Sequence, residues 1–136
     1  MTENQPAKKK ILIVDDEPSV ITYLETLLQD NGYETISAAD GKIGLEKLRG
    51  ERPDLVTLDI SMPEKSGVRF YRDVKEDPEL AKIPVVIVTA VTGEAGDPEP
   101  FKKFISTRRQ VPPPEGFIAK PIEREELLTT IKKLLA

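Results

Sequence analysis

Three short aliphatic runs constrain the chain most. Ile11-Leu12-Ile13-Val14, Leu55-Val56-Thr57-Leu58 and Val85-Val86-Ile87-Val88 carry almost no polar residue. Each ends, at its carboxyl side, in a polar one: Asp15 with Asp16, Asp59, and Thr89. A half-exposed strand alternates apolar and polar residues. An unbroken run of four implies burial on both faces, the position of an interior strand in a parallel sheet. Two weaker segments complete the set. Tyr33 to Ala38 is mixed and suits an edge strand, and Phe117-Ile118-Ala119 is short and ends in Lys120.

Helical periodicity fills the spaces between. Positions 20, 21, 24, 27 and 28 are apolar and fall on one helical face. Asp16 is expected to cap this helix, Pro18 to sit in its first turn and Gly32 to follow its end. A second helix is predicted over about 41–48, capped by Asp40, with Gly50 just past it. A third spans about 67–74 with Val68, Phe70, Tyr71 and Val74, and the last about 123–135 with Leu127, Leu128, Ile131, Leu134 and Leu135 facing inward. Strands alternating with helices give an α/β fold: a five-stranded parallel sheet with helices on both faces, in the flavodoxin-like order 2-1-3-4-5. The 136 residues are enough for one domain whose core needs no cross-link. Residues 1–8 are expected to be a flexible arm and 9–136 the domain.

Composition removes whole classes of chemistry. There is no cysteine, hence no disulfide scaffold, zinc ribbon or thiol catalysis, and no histidine, hence no histidine general base or metal ligand. The 24 acidic residues outnumber the 20 basic ones, giving a net charge of −4, which weighs against direct nucleic-acid binding. No apolar run approaches the length of a membrane span, and the opening MTENQPAKKK lacks the apolar core of a secretory signal. The expected location is therefore the cytoplasm.

What remains is concentrated at one place. Open parallel sheets bind ligands at the carboxyl ends of their strands, near the switch in strand order. Strands 1 and 3 are neighbours there, so Asp15, Asp16 and Asp59 should converge, with Thr89 and Lys120 alongside. Three clustered carboxylates at neutral pH need raised pKa values or a cation. Magnesium, which takes one or two carboxylates plus water and phosphate oxygens, suits the set. A carboxylate can itself attack phosphorus, and phosphoryl transfer asks mainly for positioning and charge neutralisation. Asp59, alone on its strand, is the best nucleophile candidate. Asp15 and Asp16 would serve the metal, and Lys120 and the Thr89 hydroxyl would neutralise charge.

These residues resemble the receiver domain of bacterial two-component response regulators. The segments that carry the resemblance are KKILIVDDEP at 9–18, DLVTLDISMP at 54–63, SG at 66–67, IPVVIVTA at 83–90 and AKPI at 119–122. It covers about 9–136. It implies that Asp59 accepts a phosphoryl group from a phosphohistidine on a histidine kinase or phosphotransfer protein. Asp16, Asp59 and the backbone carbonyl of Ser61 would bind Mg2+ directly, and Asp15 would act on it through water. Thr89 would be the switch hydroxyl, Phe117 the switch aromatic and Lys120 the partner of the phosphoryl group. The Lys120–Pro121 bond is expected to be cis, and Met62-Pro63 with Gly67 match the loop after the acceptor. Two positions, Ser61 and Val91, tune the phosphoryl lifetime in that family. An apolar Val91 offers no hydrogen bond to an attacking water, which predicts intermediate to slow self-dephosphorylation.

The chain departs from the family pattern between Val91 and Glu115, where the fourth helix normally lies. Gly93, Gly96, Pro98 and Pro100 break any regular element. Phe101, Phe104 and Ile105 then fit one helical face, and Pro112-Pro113-Pro114 ends it. A longer surface loop with a short helix is the plainer reading, and an altered partner-binding element the sharper one. In the family, the fourth helix, fifth strand and fifth helix form the output face. A downstream protein partner is expected there, and a phosphorylation-dependent homodimer is compatible with it. Two alternatives stay open: a metal-dependent phosphohydrolase, whose second aspartate is missing from Asp59-Ile60-Ser61, and an adaptor that is never phosphorylated. If the chain is whole, it acts by protein contact, as a relay intermediate or single-domain regulator.

Overall fold

The computed structural model describes residues 8–60, 66–89 and 114–135. All three aliphatic runs are interior strands of one sheet. Its strands are β1 (Lys10–Val14), β2 (Glu34–Ala38), β3 (Leu55–Leu58), β4 (Val85–Thr89) and β5 (Gly116–Ala119), all parallel, in the order β2-β1-β3-β4-β5. Leu12 pairs with Ile36 on one side and Val56 on the other, and Val56 pairs in turn with Val85. The mixed segment is the edge strand β2, as its pattern requires. The expected fold, with helices on both faces, is the one observed.

Strand pleating sorts the aliphatic residues into two cores. Leu12, Val14, Val56, Leu58, Val85 and Ile87 pack with Leu48 of α2 (Gly41–Glu51) and with Phe70, Tyr71 and Val74 of α3 (Ser66–Glu76). Ile11, Ile13, Leu55, Val86, Val88 and Ile118 pack with Leu24 and Leu28 of α1 (Pro18–Asp30) and with Leu127 and Ile131 of α4 (Arg124–Leu135). Each fully buried aliphatic side chain contributes roughly 1.5–3 kcal/mol relative to exposure. This double burial explains why the runs contain almost no polar residue.

Local chemistry sets most boundaries. The Asp40 carboxylate accepts from the Ile43 N–H at 2.8 Å, as expected of a cap. At α4 the Glu123 carboxylate accepts from the Glu126 N–H at 2.7 Å. Gly32, just past α1, adopts φ +91°, open to glycine at no steric cost.

Two expectations need correction. Asp16 does not cap α1: Glu17 occupies the capping position, and neither forms a side-chain cap. Pro18 at the first helical position has no N–H to satisfy, so the cap matters less there. Nor does Gly50 end α2. The helix runs through Gly50 to Glu51, and Arg52 takes the left-handed turn at φ 49°. Pro53 is the effective stop, because a residue preceding proline is excluded from the helical region.

The arm expected over 1–8 falls almost wholly outside the described residues, with Lys8 exposed. The fourth-helix region, Val91 and the phenylalanine and proline segments up to Pro113 lie outside them too, as do Ser61 and Met62-Pro63. Among the described residues no helix is long and apolar enough to cross a membrane.

Candidate functional site at the carboxyl rim of the sheet

With all strands parallel, every carboxyl end lies on one rim. Backbone pairing continues one step past the strands there. The Asp15 N–H donates to the Ala38 carbonyl at 3.1 Å, and the Asp59 N–H donates to the Val14 carbonyl at 2.9 Å. The ladder thus holds the two aspartates as neighbours, although 44 positions separate them in the sequence.

Lys120, on the turn that follows β5, reaches across to both. Its Nζ lies 3.3 Å from Asp15 Oδ2, 3.5 Å from Asp59 Oδ2 and 3.2 Å from Glu17 Oε1. The peptide bond from Lys120 to Pro121 is cis, as expected. Asp15 and Asp59 are buried, with 2% and 3% of their side chains exposed, while the Glu17 side chain is 59% exposed at the mouth. Asp15 Oδ1 also accepts from the Glu17 N–H at 2.9 Å.

The electrostatics follow from this crowding. Burial pushes the Asp15 carboxyl up from its ordinary range, and the Asp59 charge adds to it; the Glu17 N–H and Lys120 pull the other way without cancelling. Burial works against the charge on Lys120. The carboxylates of Asp59, Asp15 and Glu17 outweigh it and hold the ammonium above its ordinary value. One cation shared among three carboxylates leaves the rim net negative, which is an environment for a further cation.

The donor set fits one. Asp15, Glu17 and Asp59 each offer a carboxylate oxygen, all within 4.8 Å of one another. Oxygen-only donors at that spacing suit a hard divalent ion. Of the expected metal residues, Asp15 and Asp59 fall in this group, Asp16 is exposed and stands outside it, and Ser61 lies outside the described residues; Glu17 joins the group unexpectedly. The chain bends at Asp16, and the Glu17 N–H turns back onto Asp15 Oδ1, which sets Glu17 beside Asp15; strand periodicity gives no sign of that turn.

Other expected residues surround the cluster. Thr89 ends β4 and pairs with Ala119, one residue before Lys120; its side chain lies outside the described part. Phe117 is half-buried, opposite Ile87, against the core on the α2 and α3 side. Gly67, the second residue of α3, lies hard against Asp59. A Cβ there would press on the Asp59 carbonyl and come within 2.8 Å of Ile60 Cα, so only glycine lets α3 approach this closely.

Comparison with known proteins agrees with this arrangement. Residues 11–132 match the family model of the response regulator receiver domain. The chain is 36% identical over 127 residues to protein PilH of Pseudomonas aeruginosa, covering 93% of this chain and 98% of that one. It is 35% identical to the polar-differentiation response regulator DivK of Brucella anthropi, covering 93% and 96%. Among solved structures, the chemotaxis response regulator CheY4 of Vibrio cholerae superposes with a TM-score of 0.79 at 30% identity, covering 95% of this chain and all of that one. A family match over residues 11–132, and relatives and a solved structure matched along nearly their whole length, have one explanation: the chain belongs to the response regulator receiver domain family of two-component signalling.

Proposed function

We propose that the chain is a phosphoacceptor, taking a phosphoryl group onto Asp59 from a histidine kinase or phosphotransfer protein and changing its affinity for a downstream partner in response. The observation that carries the reading is the Lys120 ammonium, held at the rim by Asp15 and by Asp59, the carboxylate that would be modified.

In this reading an Asp59 carboxylate oxygen attacks the donor's phosphorus. The new P–O bond forms as the donor's bond to phosphorus breaks, and the electron pair leaves with the donor. The burial of Asp59 limits access by bulk water. Lys120 supplies positive charge where the phosphoryl oxygens arrive. As the resemblance implies, Mg2+ would be held by Asp59, Asp16 and the Ser61 carbonyl, with Asp15 beside it, the exposed Asp16 carboxylate turning in to join the cluster; when bound it neutralises charge on the phosphoryl oxygens. Thr89 and Phe117 would carry the change from the rim to the face built around β5 and α4. A hollow of about 360 Å³, lined by Val20, Tyr23, Pro121 and Ile122, opens beside Lys120 and gives a protein donor an apolar surface to rest on. The only chemistry catalysed is the chain's own phosphorylation and dephosphorylation, in the cytoplasm.

Incubation with Mg2+ and acetyl phosphate, read by intact mass, tests the reading. One added phosphoryl group, absent in Asp59→Asn, is expected. No addition, or addition that survives that substitution, overturns it.

A further inference from the structure

Lys120 is shared three ways, and only two of its partners belong to the phosphoacceptor reading. The third, Glu17, differs from them in every respect that matters. It is the exposed member of the group, at the mouth rather than the floor. It stands at the capping position of α1 yet its carboxylate makes no capping hydrogen bond to the helix. Its contact with Lys120 Nζ, at 3.2 Å, is the shortest of the three.

We propose that Glu17 is a positioning residue that holds Lys120 toward the mouth of the site, so that the ammonium must leave Glu17 before it can meet an incoming phosphoryl group. The proposal rests on the phosphoacceptor reading above. Its physical content is a competition. During transfer the phosphoryl oxygens gain Lys120 as a partner while Asp59 forms its bond to phosphorus and the donor departs with the electron pair. Every carboxylate that holds the ammonium beforehand stabilises the ground state against that step. Asp15 and Asp59 face Lys120 from the floor, where the phosphoryl group arrives. Glu17 draws it from the side facing solvent. An exposed ion pair of this kind is weak, so the brake it applies is modest.

The test measures the rate of phosphoryl incorporation from acetyl phosphate at saturating Mg2+, with saturation established separately for each variant. Glu17→Gln removes the charge. Glu17→Asp keeps the charge and shortens the side chain by one methylene, so the carboxylate no longer reaches Nζ. Both variants are expected to be faster than the parent, by roughly two- to fivefold. A structural role would slow both. Acceleration in Glu17→Gln alone would show that charge at the mouth matters and contact with Lys120 does not, and it overturns the proposal. So does no acceleration in either. If instead the parent chain takes up no phosphoryl group, or Asp59→Asn still does, the phosphoacceptor reading itself fails, and that result is distinct from the others.

Discussion

Among the described residues, one buried side-chain polar atom lacks a hydrogen-bond partner. Thr57, in the middle of β3, is buried, and its hydroxyl makes no hydrogen bond among the described residues. Its register neighbours are Ile13 and Val86, both aliphatic. A buried hydroxyl without a partner forfeits its hydration for nothing, at a cost of about 1–3 kcal/mol. Thr57→Val keeps the branched shape and removes the penalty. It should raise stability by about 1 kcal/mol, seen as a higher urea midpoint with unchanged slope. Asp40 gives the opposite case. Its carboxylate satisfies an otherwise free N–H at the start of α2, so Asp40→Ala should lower stability by about 1 kcal/mol in the same measurement.

At the scale of elements, the end of the sheet opposite the acidic rim has its own ionic tie. Lys75, near the end of α3, has a side chain only 1% exposed, and its Nζ lies 3.0 Å from Glu115 Oε2. Glu115 also accepts from the Val85 N–H at 2.8 Å, while its own N–H donates to the Val85 carbonyl at 3.1 Å. One residue therefore binds the start of β5 to the start of β4 and to α3. Glu115→Gln keeps an acceptor for Val85 and leaves the buried Lys75 without its counter-charge. Breaking a fully buried pair costs about 3–5 kcal/mol. Because Glu115 is 35% exposed, a loss of about 2 kcal/mol is the better expectation, checked by denaturant unfolding. Replacing Lys75 by methionine in the same chain should recover part of it, since no charge is then left buried.

For the whole molecule, a buried phenol and a half-buried ammonium shape the response to alkali. Burial, and then the Glu115 charge, push the Tyr71 phenol well above its ordinary value. An unfolded tyrosine ionises near pH ~10, so above that pH unfolding releases a proton that the folded chain retains, and stability falls as pH rises. Lys120 acts in the same direction. Its raised folded value gives a contribution fully present below the ordinary lysine range and lost as pH climbs through the folded value. The urea midpoint should therefore fall between about pH 9 and about pH 11. Tyr71→Phe should flatten that fall; an unchanged slope would assign the loss to other groups.

The sheet, its order and the rim on which the polar residues collect were legible in the sequence. Burial on both faces leaves unbroken aliphatic runs, and pleating and helical turns repeat over a few residues, so they are written locally. The Asp40 cap and the glycine turn at Gly32 were readable for the same reason. Which carboxylate meets Lys120 was not, because that contact joins residues 103 positions apart and depends on how the turn after β5 meets the exit of β1. The pairing of Lys75 with Glu115 spans 40 positions and has no local signature. The choice of Arg52 over Gly50 as the turn after α2 was settled by the proline that follows and by packing. Sequence periodicity decides which face each residue takes; only the docking of distant faces decides which charged groups share a site.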